Sequence, residues 1–366
     1  MRSRIPALDG LRGCACLLVF IGHFIASVER LPPFFPRVFS QYWSGVDLFF
    51  VLSGFVIFLS LLRLRAAAGD ALAFLKAYAS HRLFRIVPVY ALLILSYILI
   101  PVLFRPLAQD SLFVSSIPRW CYFCFAQSLW GVIHQRAGAG YVNVTWSLCD
   151  EIFFYVIAFF VILWIRARLR IATLLGLIVF TYLCRVFCVF VANDLAAAYL
   201  LPVCRMDGFM MGGITAMLYF GGRLPMRDTR LLDRVLICMA AVYCLLAYNV
   251  ELFFTPFSIL FSYAFYSLFY CLVLVRVLSG GWAALSRGPL ALFGVISYFV
   301  YLFQVPALAA AESYFSGVAA KFLSTLALVV GAASISWFCL ERPLIRFGRS
   351  LNSSADTDAH ANKAVQ

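Results

Sequence analysis

The sequence predicts an all-α polytopic membrane protein, a bundle of about ten transmembrane helices. Of its 366 residues, 64% are hydrophobic and only 12% are charged, and its mean hydropathy is +0.96. A soluble domain carries ~25% charged residues. Apolar runs also recur along the chain, and about twenty such residues are needed to cross the ~30 Å hydrocarbon core of a bilayer. These observations exclude a soluble protein.

Ten runs are long enough to span the bilayer, and we expect them to form one membrane domain over residues 1–349. The stretch 117–133 is apolar but short, and we interpret it as interfacial or re-entrant. The polar residues 350–366 are expected to form a disordered cytoplasmic tail. The predicted spans are 8–28, 45–64, 84–104, 146–166, 170–190, 199–220, 231–249, 256–278, 289–310 and 318–339.

The charge distribution predicts the orientation of these spans. With the N-terminus in the cytoplasm, most of the 29 Lys and Arg residues fall on cytoplasmic segments, as the positive-inside rule requires. Both termini are then cytoplasmic. The net charge of +13 is explained by these loops, so we expect a lipid bilayer as partner and no nucleic acid. The outer loops carry Arg30, Arg37, Arg105, Arg119, Arg136 and Lys321.

The twelve cysteines and four histidines do not suggest a metal site or a disulfide framework. The cysteines are scattered through apolar segments, where a thiol commonly serves as a small buried hydrophobe. The histidines have no ligand spacing. We therefore expect no bound metal.

The first span carries two residues that are energetically costly to bury in lipid, Arg12 and His23. Ionisable residues inside a membrane usually face a cavity or a site. Eleven positions correspond to ~16 Å along a helix and to about three turns, so both side chains lie on nearly one face. The alternative is a tilted helix with a snorkelling arginine and a histidine bonded to a backbone carbonyl.

Two further arginines, Arg82 and Arg85, lie at the start of the third span, in the stretch FLKAYASHRLFRIVP. Their spacing of three places both on one side of a helix entering the membrane from the cytoplasm. Guanidinium groups bind phosphate in a bidentate manner, so such a cluster suits a polyanionic ligand. The alternative is an ordinary positive-inside anchor.

A second polar set lies at the predicted outer ends of the spans. Asp47, Glu151 and Arg205 each stand at or near the start of a segment, and we expect them to approach His23. A carboxylate beside an imidazole fixes its tautomer and makes it a better general base for a hydroxyl proton. Taken alone, each carboxylate could instead be a favourable charge at a helix N-terminus.

These residues lie in stretches that resemble the acyltransferase-3 family of integral membrane acyltransferases. The similarity covers roughly residues 5–348 in the family's order. The matching stretches are IPALDGLRGCACLLVFIGHF with its Arg-x10-His spacing, GVDLFFVLSGFVI, HRLFRIVPVY with its RxxR, WSLCDEIFFY, GVISYFVYLFQVP and LERPLIRF.

The resemblance implies ten spanning helices and transfer of an acyl group from acyl-CoA, as donor substrate and not as a bound cofactor, to a carbohydrate acceptor. It implies His23 as the catalytic histidine and Arg12 as a required partner, with Arg82 and Arg85 contacting the CoA phosphates. Our candidate catalytic set also includes Asp9, Asp47 and Glu151. The candidate substrate-binding residues are Trp146, Arg205 and Tyr298.

One position departs from the family pattern. Many members carry histidine where this chain has Gln304, which leaves His23 as the only histidine in the predicted spans. We also expect the membrane domain itself to perform the transfer, because the sequence shows no appended soluble hydrolase-like domain.

The sequence thus predicts an O-acyltransferase, most readily an O-acetyltransferase, of a surface or lipid-linked glycan in a bacterial inner membrane. The alternative is a transporter or flippase for a glycan-lipid or acyl donor, with the buried His, Asp and Arg as a relay. The RxxR beside Arg-x10-His favours the enzyme, since a proton-coupled transporter needs no site for CoA phosphates.

Overall fold

The computed structural model describes residues 5–28, 41–67, 71–224, 229–248, 255–348 and 350. Within these ranges the chain forms thirteen α-helices. They are α1 (Ala7–Ser27), α2 (Ser44–Ala67), α3 (Ala71–Leu103), α4 (Arg119–Phe123), α5 (Gln127–Ile133), α6 (Trp146–Trp164), α7 (Arg170–Phe190), α8 (Leu195–Leu200), α9 (Asp207–Phe220), α10 (Arg230–Tyr248), α11 (Tyr263–Leu278), α12 (Pro289–Tyr314) and α13 (Val318–Ser336).

The predicted all-α membrane architecture is confirmed, although the number of spans is approximate. In the described part of the chain, eight helices are long and apolar enough to cross a membrane. Helix α10 is not among them, but its 19 residues extend ~28 Å, close to the hydrocarbon thickness. The predicted tail from 351 to 366 lies outside the described residues.

The sixth predicted span, 199–220, is wrong as a continuous helix. The chain there forms the short helix α8, a 3-10 turn Pro202–Cys204 and the 14-residue helix α9. Pro202 has no backbone N–H to continue a helix begun at α8. The break places Arg205 between two helices, where its side chain turns into the protein interior.

The third predicted span begins earlier than expected. Helix α3 starts at Ala71 and runs for 33 residues, so Arg82 and Arg85 stand on a continuous helix and not in a preceding loop. The mixed polar and apolar segment FLKAYASH continues the helical periodicity before the apolar run begins. The stretch 117–133 is not a span, because it forms the two short helices α4 and α5.

Glycines allow α1 and α12 to pack backbone against backbone. A Cβ atom added at Gly13 would lie under 3.0 Å from the Leu290 carbonyl oxygen, and one at Gly294 would meet the Asp9 carbonyl oxygen as closely. Small residues at such interfaces are typical of membrane helices, where close packing replaces the hydrophobic effect as the driving force. This seam brings the first span against the penultimate one.

We expect Gly294→Ala to destabilise the protein clearly, because its methyl group would meet backbone that cannot move aside. Overpacking of this kind costs about 1–3 kcal/mol or more. The measurement is thermal unfolding in detergent, followed by fluorescence-detected size exclusion. The matched control is Gly176→Ala on α7, where a Cβ would have no atom within 4 Å. Equal unfolding temperatures for the two variants would contradict the close seam.

Candidate functional site

A large cavity lies among the ends of the bundle that the positive-inside rule assigns to the cytoplasm. Its volume is about 780 Å³, within the range usual for ligand sites. We call it the arginine cavity, because six arginines line it together with the carboxylates of Asp9 and Glu341. The arginines are Arg12, Arg63, Arg82, Arg85, Arg342 and Arg346. So many guanidinium groups around one space favour a ligand with several negative charges.

Helices α1 and α3 place the three predicted arginines on this cavity. On α3, the Arg82 guanidinium lies 5.1 Å from the Tyr155 ring centre and 5.8 Å from that of Tyr78. On α1, Arg12 Nη1 donates to Asp9 Oδ1 at 3.3 Å. The sequence thus correctly grouped Arg12 with Arg82 and Arg85.

The last helical segment completes the wall. After α13 the chain passes through a π-helical turn, Trp337–Glu341, and Glu341 Oε1 accepts a hydrogen bond from Ser336 Oγ at 3.1 Å. Arg342 and Arg346 follow one turn apart and line the cavity. Our site assignment missed Glu341 and both arginines as wall residues, although they lie in the LERPLIRF stretch. The spacing of four between Arg342 and Arg346, which places both on one face of a helix, could have indicated them.

A smaller space adjoins the arginine cavity and extends deeper into the bundle. This deep chamber has a volume of about 90 Å³ and shares Arg12, Arg82, Arg85 and Tyr298 with the larger cavity. Its other walls include aromatic rings and hydroxyl groups. Besides Val46 and Glu151, the chamber is lined by the rings of Phe49, Phe50, Tyr155 and Tyr301 and by the hydroxyl groups of Ser147 and Ser297. The chamber continues the cavity beyond the arginines.

Glu151 and Tyr298 lie in this chamber. Glu151 Oε1 accepts a hydrogen bond from the Tyr155 hydroxyl at 2.7 Å, and the carboxylate lies near enough to Arg12 to interact with it electrostatically. The Tyr298 hydroxyl donates to the Ile86 carbonyl oxygen at 2.9 Å. The expected meeting of Glu151 with Asp47 and His23 does not occur, because the side chain of Glu151 points toward the arginines of α1 and α3.

Asp47 and Arg205 form a closed ion pair behind the wall of the deep chamber, where the Arg205 guanidinium lies 5.7 Å from the Phe50 ring centre. Arg205 Nη2 donates to Asp47 Oδ1 at 2.9 Å, and each side chain is 1–2% exposed. The Arg205 guanidinium lies 3.9 Å from the Tyr263 ring centre and 5.9 Å from that of Trp146. Asp47, Trp146 and Arg205 line neither cavity. We call this arrangement the Arg205 cage.

Further buried charges surround the cage. Arg185 Nη2 donates to Asp207 Oδ2 at 2.5 Å. Asp150 is fully buried, and neither of its carboxylate oxygens has a hydrogen-bond partner in the described part of the chain. Asp150 lies near enough to Arg205 for electrostatic attraction. Our candidate set did not include Arg185 or Asp150, although each ionisable residue within or beside an apolar run was a visible signal.

His23 lies toward the other end of α1, and it lines neither cavity. Its Nδ1 is 2.9 Å from the Val19 carbonyl oxygen. A carbonyl oxygen only accepts hydrogen bonds, so Nδ1 carries the proton in neutral His23 and Nε2 is left as the basic nitrogen. The imidazole also meets the Tyr42 ring edge-on, with 6.0 Å between the ring centres.

The packing of α1 against α12 fixes the height of His23 relative to the deep chamber. The two helices run parallel, since Gly13 faces Leu290 and Gly294 while the Cys16 thiol lies 3.5 Å from the Ser297 carbonyl oxygen. His23 and Gln304 each lie seven residues beyond that contact on their own helices. Seven residues are nearly two full turns, so the two residues are at the same level. Tyr301 of the chamber is three residues before Gln304, so it lies ~4.5 Å below the level of His23.

Gln304 lies at the level of His23 and carries a buried polar side chain. Its side chain is 1% exposed, and its Nε2 donates to the Tyr301 carbonyl oxygen at 3.1 Å. The Oε1 atom has no hydrogen-bond partner among the described residues. The position that departs from the family pattern therefore remains polar and buried beside the helix of His23.

Comparisons with known proteins identify the family. The family model described as an acyltransferase domain matches residues 5–341, nearly the whole chain. The search of curated proteins and the search of solved structures gave no match. The family model and the apolar helices together show a multi-pass membrane acyltransferase. The chain belongs to the acyltransferase-3 family of integral membrane acyltransferases.

Proposed function

We propose that this protein is an O-acyltransferase that moves an acyl group, most readily acetyl, from cytoplasmic acyl-CoA to a sugar hydroxyl of a surface or lipid-linked glycan. The observation that carries the proposal is the arginine cavity, which continues into the deep chamber toward the level of His23. We place the protein in a bacterial inner membrane with both termini in the cytoplasm.

The donor enters from the arginine side in this proposal. CoA carries phosphate groups at one end and the thioester at the other. Arginines suit the phosphate end because planar guanidinium groups form paired hydrogen bonds with phosphate oxygens. The pantetheine arm then extends past Arg12, Arg82 and Arg85, so that the acyl group at its end enters the deep chamber. The acyl group thereby approaches the outer half of the membrane while CoA stays on the cytoplasmic side.

The acceptor hydroxyl arrives from the outer side, between the chamber and His23. His23 Nε2 removes its proton while the hydroxyl oxygen forms a bond to the thioester carbonyl carbon. The C–S bond breaks, and the CoA sulfur takes up the proton. The products are a sugar ester and free CoA. Neutral His23 with its proton on Nδ1 is the form that such a general base requires.

The test of the proposal is donor consumption by the purified protein. The protein in lipid nanodiscs is mixed with acetyl-CoA and cell-surface glycan, and the released CoA thiol is measured. Glycans from cells with and without the protein are then compared by mass spectrometry. An acetyl mass difference that depends on the protein is expected. Transport of intact glycan-lipid without thiol release would favour the alternative function.

We expect Arg82→Ala and Arg85→Ala to raise the KM for acyl-CoA about 10- to 100-fold, because each removes a charged hydrogen-bond donor worth about 1.5–3 kcal/mol. Lysine at either position should rescue the KM only in part, since an ammonium group cannot pair with phosphate in a bidentate manner. Steady-state kinetics with varied donor provide the measurement.

The control for these variants is Arg168→Ala. Arg168 is exposed at the same predicted membrane side and lines neither cavity. If Arg82→Ala and Arg85→Ala lower only the amount of inserted protein and leave the donor KM unchanged, the two arginines are membrane anchors.

A further inference from the structure

The walls of the deep chamber are held in place by ring stacking and hydrogen bonds. The Phe50 ring stacks on Phe209 with 4.3 Å between the ring centres. The Tyr301 hydroxyl lies 2.8 Å from Ser147 Oγ and donates to the Val144 carbonyl oxygen at 3.3 Å. Moving rings that are fixed by stacking and hydrogen bonds is energetically unfavourable, because protein interiors are close-packed.

One aromatic pair narrows the chamber. The rings of Phe49 and Tyr301 meet edge to face, with 5.7 Å between their centres at an angle of 72°. Phe49 is half-buried, while Val46 on the same helix is 5% exposed. The two rings therefore bridge the space between α2 and α12 across the chamber.

The deep chamber has room only for a short acyl chain. Its volume of about 90 Å³ is smaller than the roughly 150 Å³ of an engineered cavity that binds benzene, so it has room for only a few heavy atoms. The adjoining arginine cavity is about 780 Å³. A donor that fills the larger space with its nucleotide end has little room beyond the arginines for a long acyl tail.

We infer that the deep chamber selects the donor by the length of its acyl chain, with Phe49 and Tyr301 as the specificity-determining residues that admit acetyl and exclude chains of six or more carbons. This inference rests on the proposed function and adds to it the residues that select the acyl chain. Tyr301 is fixed by two hydrogen bonds, whereas Phe49 is held by ring packing alone in the contacts described above. Shortening Phe49 is therefore the change that opens the chamber.

The test measures binding, so that it does not depend on the acceptor. Dissociation constants for CoA, acetyl-CoA, hexanoyl-CoA and octanoyl-CoA are determined by titration of the full-length protein in nanodiscs. Wild-type protein is expected to bind acetyl-CoA at least tenfold more tightly than octanoyl-CoA. Phe49→Ala is expected to reduce that ratio at least tenfold, since a few methylene groups in a pocket change affinity by such factors. Phe49→Leu is the milder variant if the alanine variant does not fold.

The matched control is Phe187→Ala on α7, where the ring is 57% exposed on the outside of the bundle. It should leave the ratio unchanged. Equal binding of acetyl-CoA and octanoyl-CoA by the wild type, or an unchanged ratio in both Phe49 variants, overturns the inference but leaves the proposed function standing. If CoA and all three thioesters fail to bind the folded protein, the proposed function fails and the inference fails with it.

Discussion

Replacing His23 with alanine is expected to abolish acyl transfer while the protein still inserts and unfolds at the wild-type temperature. Loss of a general base typically costs ~10²–10⁴-fold in rate. Among the residues that the structure describes, the imidazole bonds to a carbonyl of its own helix alone, so its removal should perturb the packing little. CoA release at saturating donor and acceptor gives the rate, and donor titration should give an unchanged dissociation constant.

The control for this variant is His134→Ala. His134 is an exposed residue that stacks on Trp130, with 3.9 Å between the ring centres. It should retain full activity. Wild-type turnover by His23→Ala would refute the proposed mechanism, whatever the donor and acceptor prove to be.

The second large effect is expected at the Arg205 cage. Asp47→Leu removes the ion-pair partner of an arginine that is 1% exposed. Breaking a buried ion pair costs about 3–5 kcal/mol, because one charge is left uncompensated, whereas replacing both partners by apolar residues is often neutral. We therefore expect Asp47→Leu to lower the unfolding temperature sharply. The double variant Asp47→Leu/Arg205→Leu should recover most of that loss.

The double variant also separates stability from chemistry. Thermal unfolding and CoA release are measured on the same preparation. A folded but inactive double variant would support the predicted roles of Asp47 in catalysis and Arg205 in substrate binding. A folded and fully active one would restrict both residues to holding the bundle together. If Asp47→Leu unfolds at the wild-type temperature, the ion pair contributes nothing.

The sequence predicted the relative positions of residues correctly where these depend on a single helix and on its orientation in the membrane. Helical periodicity placed Arg82 beside Arg85, and the positive-inside rule placed both on the same side of the membrane as Arg12. The structure brings all three to one cavity. The family was identified from the same stretches, and the matching family model bears this out.

Contacts between helices could not be read in the same way. Periodicity gives the face of α6 on which Glu151 lies, but not which helix covers that face. Glu151 consequently lies with the arginines and not with His23. Nor does the sequence distinguish a charge used in a site from one that only pairs with another charge inside the bundle. The roles of the candidate site residues remain predictions.

The seam between α1 and α12 also concerns the synthesis of the protein. Its contact between Cys16 and Ser297 joins residues 281 positions apart. At ~5–20 residues per second, a ribosome needs about 14 to 56 seconds to make that intervening chain. During this interval α1 is inserted without the helix that covers it. The pair of Asp9 and Arg12, three residues apart on α1, needs no later helix to form and can partly neutralise the arginine charge while the nascent chain waits for its partner.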